Sequence, residues 1–288
     1  MANKKLKAPV NIPVEKIRSF EGHPYKVLDN DEMNNLIESI QQKGVISPIV
    51  VRPLENTTDE YEIISGHRRL RASVKAGLET VPALIYAVSR DEAAIMLVDS
   101  NLHREHILPS ERAFAYKLKM EAMSRQGYRS DLTSCQVGTK LRTDEIIAEN
   151  STDSARQIQR YIRLTNLIPE LLDLVDEERI AFTPAVELSY LNEVEQADLV
   201  EEIRVCDATP NLSQAQRLRA ISREEGLTPE HIGEILSEEK ANQREKIKIP
   251  AERIRKYFPK SYTTEQIEEA IIKICESRYR ARQGRDAR

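Results

Sequence analysis

Tyr61-Glu62-Ile63-Ile64-Ser65-Gly66-His67-Arg68-Arg69-Leu70-Arg71 reads as a strand that turns directly into a helix. Tyr61 to Ile64 has the aromatic and β-branched character that suits a pleated surface. Gly66 permits a tight turn and close backbone approach. The helix then runs from about His67 to Lys75 and stops near Gly77. The free N–H groups of a helix start attract anions, and Arg68, Arg69 and Arg71 add fixed charge with bidentate geometry for phosphate. Arginines paired with nearby carboxylates such as Glu62 fit the same pattern, so spacing alone leaves both readings open. His67 is open in the same way, as an acid/base or metal ligand or as a polar packing residue. No P-loop and no GxGxxG occurs.

Outward from this turn the chain alternates signals. Upstream, Asp31 can cap a helix whose Leu36, Ile37 and Ile40 share one face, with Gly44 as its stop. Ser47-Pro48-Ile49-Val50-Val51-Arg52 is a short strand, separated from Tyr61 by a polar turn over 56–59. Downstream, Val81 to Ala87 is a third apolar run. Helices resume at about 90–100 and at 109–126, the latter opened by Pro109 at a first-turn position. Residues 128–140 show no period and read as a loop. Helical patterns follow at about 143–149 and 153–165, then several acidic helices over 166–240. Thr263-Thr264-Glu265-Gln266 is a capping box ahead of Ile267, Ala270, Ile271, Ile274 and Cys275. The expected organisation is an α+β domain at 1–108, an all-α domain at 109–236, a linker at 237–248 and a helical C-terminal segment at 249–288.

The composition narrows the class. The 288 residues carry a formal net charge of −4, with 31% charged and 5% aromatic residues, which argues against a disordered chain and against a β-sandwich. No apolar run reaches the roughly 18 residues of a membrane span. The first residues lack the apolar stretch of a signal peptide. Cys135, Cys206 and Cys275 lie too far apart for a CxxC metal site, so a reduced cytoplasmic setting is expected. The small net charge hides a gradient: residues 166–240 sum to −12 and 241–288 to +6. The last block suits a polyanion and the one before it repels one.

About thirty residues after the arginine turn comes Asp99-Ser100-Asn101-Leu102-His103-Arg104-Glu105. Asn101 and Arg104 stand three apart and would share a helical face. Asp99 and Glu105 are the nearest carboxylates able to hold Mg²⁺ beside a phosphate. Taken with Pro48-Ile49-x-Val51-Arg52, Gly66-x-Arg68-Arg69-x-Arg71-Ala72, Ala76-Gly77-Leu78-x-x-Val81-Pro82 and Pro109-x-Glu111, the order closely resembles the N-terminal domain of the ParB family of DNA-partition proteins, over about residues 10–120. The resemblance implies a domain related to the sulfiredoxin fold that in many members binds CTP with Mg²⁺. It assigns nucleotide contacts to Gly66, Arg68, Arg69, Asn101 and Arg104; His67, within the same segment, is taken with them, and Asp99, a small shift from the family's glutamate position, is the metal candidate. Gly22-His23-Pro24-Tyr25-Lys26 stands where the family carries an NPxQPR-like element. Members often read GERR and ENxxR, whereas His67 and Ser100 occupy the two glutamate positions here. CTP binding is therefore expected, and hydrolysis, a weak CTPase activity, is left open.

Thr143 to Asn150 followed by Ser154 to Arg163 has helix-turn-helix proportions. Ile146 and Ile147 face Ile158 and Ile162, and Asn150 tolerates a left-handed turn. Arg156, Gln157, Gln159 and Arg160 suit base edges and phosphates in a major groove. Two ordinary bundle helices fit the same pattern; the position after a ParB-like domain favours DNA. The family resemblance further implies a homodimer, a ParA-type ATPase partner, no membrane contact and a nucleoid-associated location. The expected function is a sequence-specific, CTP-regulated partition protein for a plasmid, chromosome or mobile element. A transcriptional repressor or nucleoid-occlusion factor shares every feature used. A small-molecule kinase on the same fold would leave the helix-turn-helix unexplained, and a sulfiredoxin would need a cysteine between Gly66 and His67.

Overall fold

The computed structural model of the chain describes residues 8–55, 57, 59–102, 104, 106–126, 142–238, 254–259, 262–263, 266–267 and 269–276. Contacts divide the chain into two compact units, residues 1–238 and 239–288.

Ile63 and Ile64 set the layering of the N-terminal part. They lie on β4 (Tyr61–Ser65), in a five-stranded sheet with β1 (Val10–Pro13), β2 (Ile17–Arg18), β3 (Ile49–Pro53) and β5 (Thr80–Ile85). The strand order is β1-β5-β3-β4-β2, with β3–β5 and β2–β4 parallel and the other two pairs antiparallel. Successive strand residues face opposite sides. Ile63 thus joins Ile12, Ile49, Val51, Val81 and Ala83 in one core. Ile64 joins Phe20, Tyr25 and Leu97 in another. Each fully buried aliphatic side chain contributes about 1.5–3 kcal/mol, so both faces are committed and the register is fixed.

The helix α1 (Asp31–Lys43) packs on α2 (His67–Lys75) through Met33, Ile40 and Ala72. Its cap is Asn30, whose side chain accepts from the Met33 N–H, one residue earlier than the expected Asp31. The carboxylate of Asp31 instead sits in the first turn, where the helix dipole favours it. The third apolar run ends as a strand at Ile85, two residues early. Strands β1 and β2 have four and two residues, too short to signal by alternation.

The opposite face of the sheet is covered by α3 (Arg90–Asp99) and α4 (Pro109–Arg125). Helix α4 packs on two sides. Its Ala115 and Ala122, seven apart, meet α3. Its Tyr116 and Met123, the next stripe, meet Ile147 of α5 (Thr143–Glu149) and Ile158 of α6 (Ala155–Leu164). The border expected between residues 108 and 109 thus falls at the first turn of a helix shared by both halves. Residues after α6 form α7 (Pro169–Asp176), α8 (Phe182–Leu188), α9 (Glu193–Cys206), α10 (Leu212–Glu224) and α11 (Pro229–Ser237) around one apolar core. The turn after α5 does not use a left-handed Asn150, which has φ −108°. Ser154 makes the start of α6 instead, accepting from the Gln157 N–H.

In the second unit, Thr263 and Gln266 make both capping-box bonds, at 3.0 and 3.3 Å. Helical residues follow through Glu276. The 128–140 loop, most of the 237–248 linker and the terminal arginines Arg278, Arg280, Arg282, Arg285 and Arg288 lie outside the described residues.

Candidate functional site

The strand-to-helix corner is built around Gly66, left-handed at φ 102° and ψ 25° at the cap of α2. A Cβ there would stand 2.9 Å from Ile49 Cγ2 and 3.2 Å from Arg69 Nη2. Only glycine fits. The first turn of α2 holds no acidic residue, so its orphan N–H groups face a cleft of about 570 Å³ without a carboxylate of their own helix. Ser65, Gly66, His67, Arg68, Arg69 and Arg104 line this cleft, with Glu32, Asn35, Leu36 and Ser39 of α1 opposite. A second cleft of about 500 Å³ shares Arg68 and Arg104 and runs on to Pro109 and Glu111 of α4.

The arginines are deployed differently. Arg68 pairs with Glu32 at 2.9 Å, and the Glu32 side chain is largely solvated while that of Arg68 is partly so; such a pair is weak and easily exchanged. Arg69 donates Nη1 to the carbonyls of Ser47 and Pro48, at 2.6 and 2.7 Å, and so ties the corner to the entry of β3. Arg104 stands 5.7 Å from the Tyr25 ring, and no carboxylate pairs with it among the described residues. Arg71 is not part of the cleft: it grips Asp29 through two bonds at 2.8 and 2.5 Å. Arg71 and Lys75 hold the Asp29 carboxyl well below its usual range. Glu62 pairs with none of these arginines, because Arg52 takes it at 2.7 Å inside the sheet.

Two expected contacts lie elsewhere. Asn101 is buried, and its amide donates to the Leu97 carbonyl at 2.7 Å, closing the end of α3. Its own carbonyl receives the Arg104 N–H at 3.1 Å, so it fixes the turn that delivers Arg104 rather than reaching the cleft. Asp99, the metal candidate, accepts from Lys119 at 2.5 Å and does not line the cleft. No group of three or more His, Cys, Asp or Glu side chains able to hold a metal occurs among the described residues.

His67 stacks on His23 with ring centroids 3.7 Å apart, and its Nε2 is buried without a partner. Burial pushes the His67 pKa down to about 3, helped by His23 and Arg104. The ring is therefore neutral near pH 7. It joins the Gly22–Lys26 segment to the corner without adding charge to it.

On α6, Ile158 is fully buried and Leu164 with it, while Arg156 and Gln159 are exposed. At about 100° per residue, Arg156, Gln159, Arg160 and Arg163 share one side of α6, where Arg160 and Arg163 are half-buried. Arg156 has no hydrogen-bond or ion-pair partner among the described residues. Arg160 donates to Thr183 at 2.9 Å and lies over Phe182. Gln159 donates to Asp144 at 2.9 Å. Gln157 is half-buried and accepts from Arg160 at 3.1 Å.

Residues 2–102 match the family described as the ParB N-terminal domain. The chain carries a ParB N-terminal domain. It is 32% identical over 195 residues to a nucleoid occlusion protein of Listeria innocua, covering 67% of this chain and 62% of that one. It is 34% identical over 162 residues to a probable chromosome-partitioning protein ParB of Pseudomonas putida, covering 56% and 50%. The chain thus spans between half and two thirds of the length of these relatives. Similar solved structures include the C-terminally truncated ParB of Caulobacter crescentus complexed to the centromeric parS site, at 22% identity and TM-score 0.43, covering 73% of this chain and 98% of that one. The same protein complexed with CTP-gamma-S aligns at 25% identity and TM-score 0.32, covering 69% and 99%.

Within the ParB domain, sequence spacing found the corner and missed its opposite wall. Glu32, Asn35 and Ser39 recur every three or four residues on the polar side of α1, a stripe that also suits plain solvation. His23 was named only as part of the Gly22–Lys26 segment, and nothing in its spacing pairs it with His67.

Proposed function

We propose that the chain is a DNA-binding partition protein whose ParB domain takes CTP in the cleft at Gly66. The observation that carries this is the union of a glycine-only corner, a carboxylate-free helix start and Arg104, which pairs with no carboxylate among the described residues, around one cavity. A triphosphate there would meet the first N–H groups of α2 and exchange Glu32 for its own oxygens on Arg68. Bidentate arginine–phosphate contacts are charge-assisted and stronger than that exposed pair. Arg69 would hold the corner in shape and keep its remaining N–H groups for the ligand. Asn101 would act by holding Arg104. The residues fit a nucleotide; they offer Mg²⁺ no cluster of carboxylates, so the phosphate oxygens themselves would have to supply most of its ligands. We assign no hydrolytic base.

Helices α5 and α6 are proposed as a helix-turn-helix that reads a duplex through Arg156, Gln159 and Arg160, with Gln157 braced on Arg160 from the side. Self-association as a homodimer, with the amphipathic helix after Thr263 as its candidate element, would double the footprint. A ParA-type ATPase and a nucleoid-associated location belong to the same proposal. The similarity to a nucleoid occlusion protein favours a second reading, in which the same DNA binding serves occlusion rather than partition.

Calorimetry with CTP, ATP and GTP, each with and without Mg²⁺, tests the cleft. CTP alone should give heat, and Arg104→Ala should weaken it about tenfold or more; no heat from any nucleotide would refute the site. Genome-wide mapping of bound DNA separates the two readings by whether the sites cluster at one locus or scatter along the chromosome.

A further inference from the structure

Tyr190, in the turn after α8, is 45% exposed in a section of strongly negative charge. Two guanidiniums lie over its ring. Arg163, in the last turn of α6, has its Cζ 4.0 Å from the ring centroid, and Arg219, on α10, has its Cζ 3.5 Å away. At such distances one face of a phenol has room for one planar cation, so the ring separates the two. Cation–π attraction holds each guanidinium, yet the cluster brings two positive charges together with one carboxylate. That carboxylate is Glu187, which accepts from Arg219 Nη1 at 2.7 Å. Arg163 pairs with no carboxylate among the described residues; it donates to the Ser189 carbonyl at 2.9 Å, and its Nε is buried without a partner. The arrangement is thus short of one anion.

We infer that Arg163, Tyr190 and Arg219 form a second phosphate-contact site, which carries a DNA backbone away from the reading face of α6. Two observations favour a duplex over an acidic peptide. Arg163 continues the row of Arg156 and Arg160 along one side of α6, exposed at Arg156 and half-buried at Arg160 and Arg163, and the row steps across Tyr190 onto α10. The aromatic spacer also fixes both guanidiniums in place, which suits the regular spacing of a phosphate chain more than a flexible peptide. Helix α10 then supplies a contact from outside the two reading helices, in a section whose overall charge would otherwise repel DNA. This inference rests on α6 meeting DNA.

The test uses the full chain and a fluorescent 40-base-pair duplex of random sequence, titrated from 50 to 250 mM salt. Phosphate contacts act on any sequence, and each one lost lowers the salt slope by about 0.9. Arg219→Ala should weaken binding about threefold to tenfold at the lowest salt and reduce the slope by about one. Arg219→Lys keeps the charge and loses the planar stacking, so it should restore the slope but only part of the affinity. Glu187→Gln removes the competing carboxylate and should tighten binding, which a purely structural role for the pair would not produce. Circular dichroism and melting of each variant confirm its fold. If Arg156→Ala weakens binding while Arg219→Ala and Glu187→Gln leave affinity and slope unchanged, the second site is wrong although α6 does contact DNA. If Arg156→Ala also changes nothing, the DNA-reading assignment of α6 fails, and this inference with it.

Discussion

At the scale of single residues, Gly66 and His67 carry opposite kinds of constraint. Gly66 is held by backbone handedness and by the methyl of Ile49. Gly66→Ala should cost about 1–2 kcal/mol for the left-handed residue alone, with more from displacing Ile49, and should abolish the nucleotide heat. Urea unfolding of both proteins measures the first part. His67 is held by burial. Its folded pKa of about 3 lies below its ordinary value of 6.5, so the unfolded chain takes up the proton first. The stability it contributes is complete above about pH 6.5 and drains away as pH falls from there toward 3, by at most about 1.4 kcal/mol per pH unit. His67→Phe keeps a ring against His23 and removes the titration. Its melting temperature should fall less between pH 7 and pH 5 than that of the unsubstituted protein; equal falls would place the acid sensitivity elsewhere.

At the scale of elements, α4 joins the cleft to the reading helices. Its first turn is held by Asp176, which accepts from the Ser110 N–H at 3.0 Å and the Ser110 hydroxyl at 2.6 Å. Glu111, on the same turn, accepts the Lys26 N–H at 2.7 Å. One turn and a half further on, Tyr116 donates to Asp153 at 2.6 Å, beside the start of α6. Arg112 lies between, 3.3 Å from the same carboxylate. Tyr116→Phe should therefore lower stability by about 1–2 kcal/mol, since Asp153 loses its shortest bond in a half-buried place. Nucleotide affinity should hold while DNA affinity drops, as fluorescence titrations of both ligands would detect. Little of this was legible beforehand. The apolar positions of α4 announce a helix, but two adjacent stripes, Ala115 with Ala122 and Tyr116 with Met123, look from sequence like one broad face. The arginines of the corner were legible as a group and not individually: Arg71 and Arg68 have the same spacing logic, and only the position of Asp29 decides that Arg71 is spent. Asn101 and Asp99 stand apart from the cleft for a related reason. Both stand near Arg104 in sequence, yet the end of α3 turns their side chains toward Leu97 and Lys119.

At the scale of the molecule, the two halves of residues 1–238 share α4 and should unfold together. Near-ultraviolet dichroism, which reports tyrosines from Tyr25 to Tyr190, and far-ultraviolet dichroism should give coincident melting curves for this unit. Two separated transitions would mean that the halves hold their cores independently. The order of elements was readable because strands and helices here have ordinary lengths and ordinary punctuation. The sheet order was not, since β1 and β2 are too short to be seen and pair with segments far along the chain. The −12 of the 166–240 block is a sum over helices that point in many directions, and the proposed phosphate contact would draw on it only at Arg219.

Of the seventeen residues in α4, only Phe114, Glu121, Ser124 and Arg125 are exposed. An axle so fully clasped cannot be exchanged piecemeal. Grafting the reading helices of a cousin onto this N-terminal half would require that α4 travel with one parent, leaving the other parent's stripe facing a stranger. Recombination within such proteins should therefore succeed only where both alanine and aromatic stripes are inherited together, and chimaeras joined at residue 108 should be harder to make than those joined beyond residue 126.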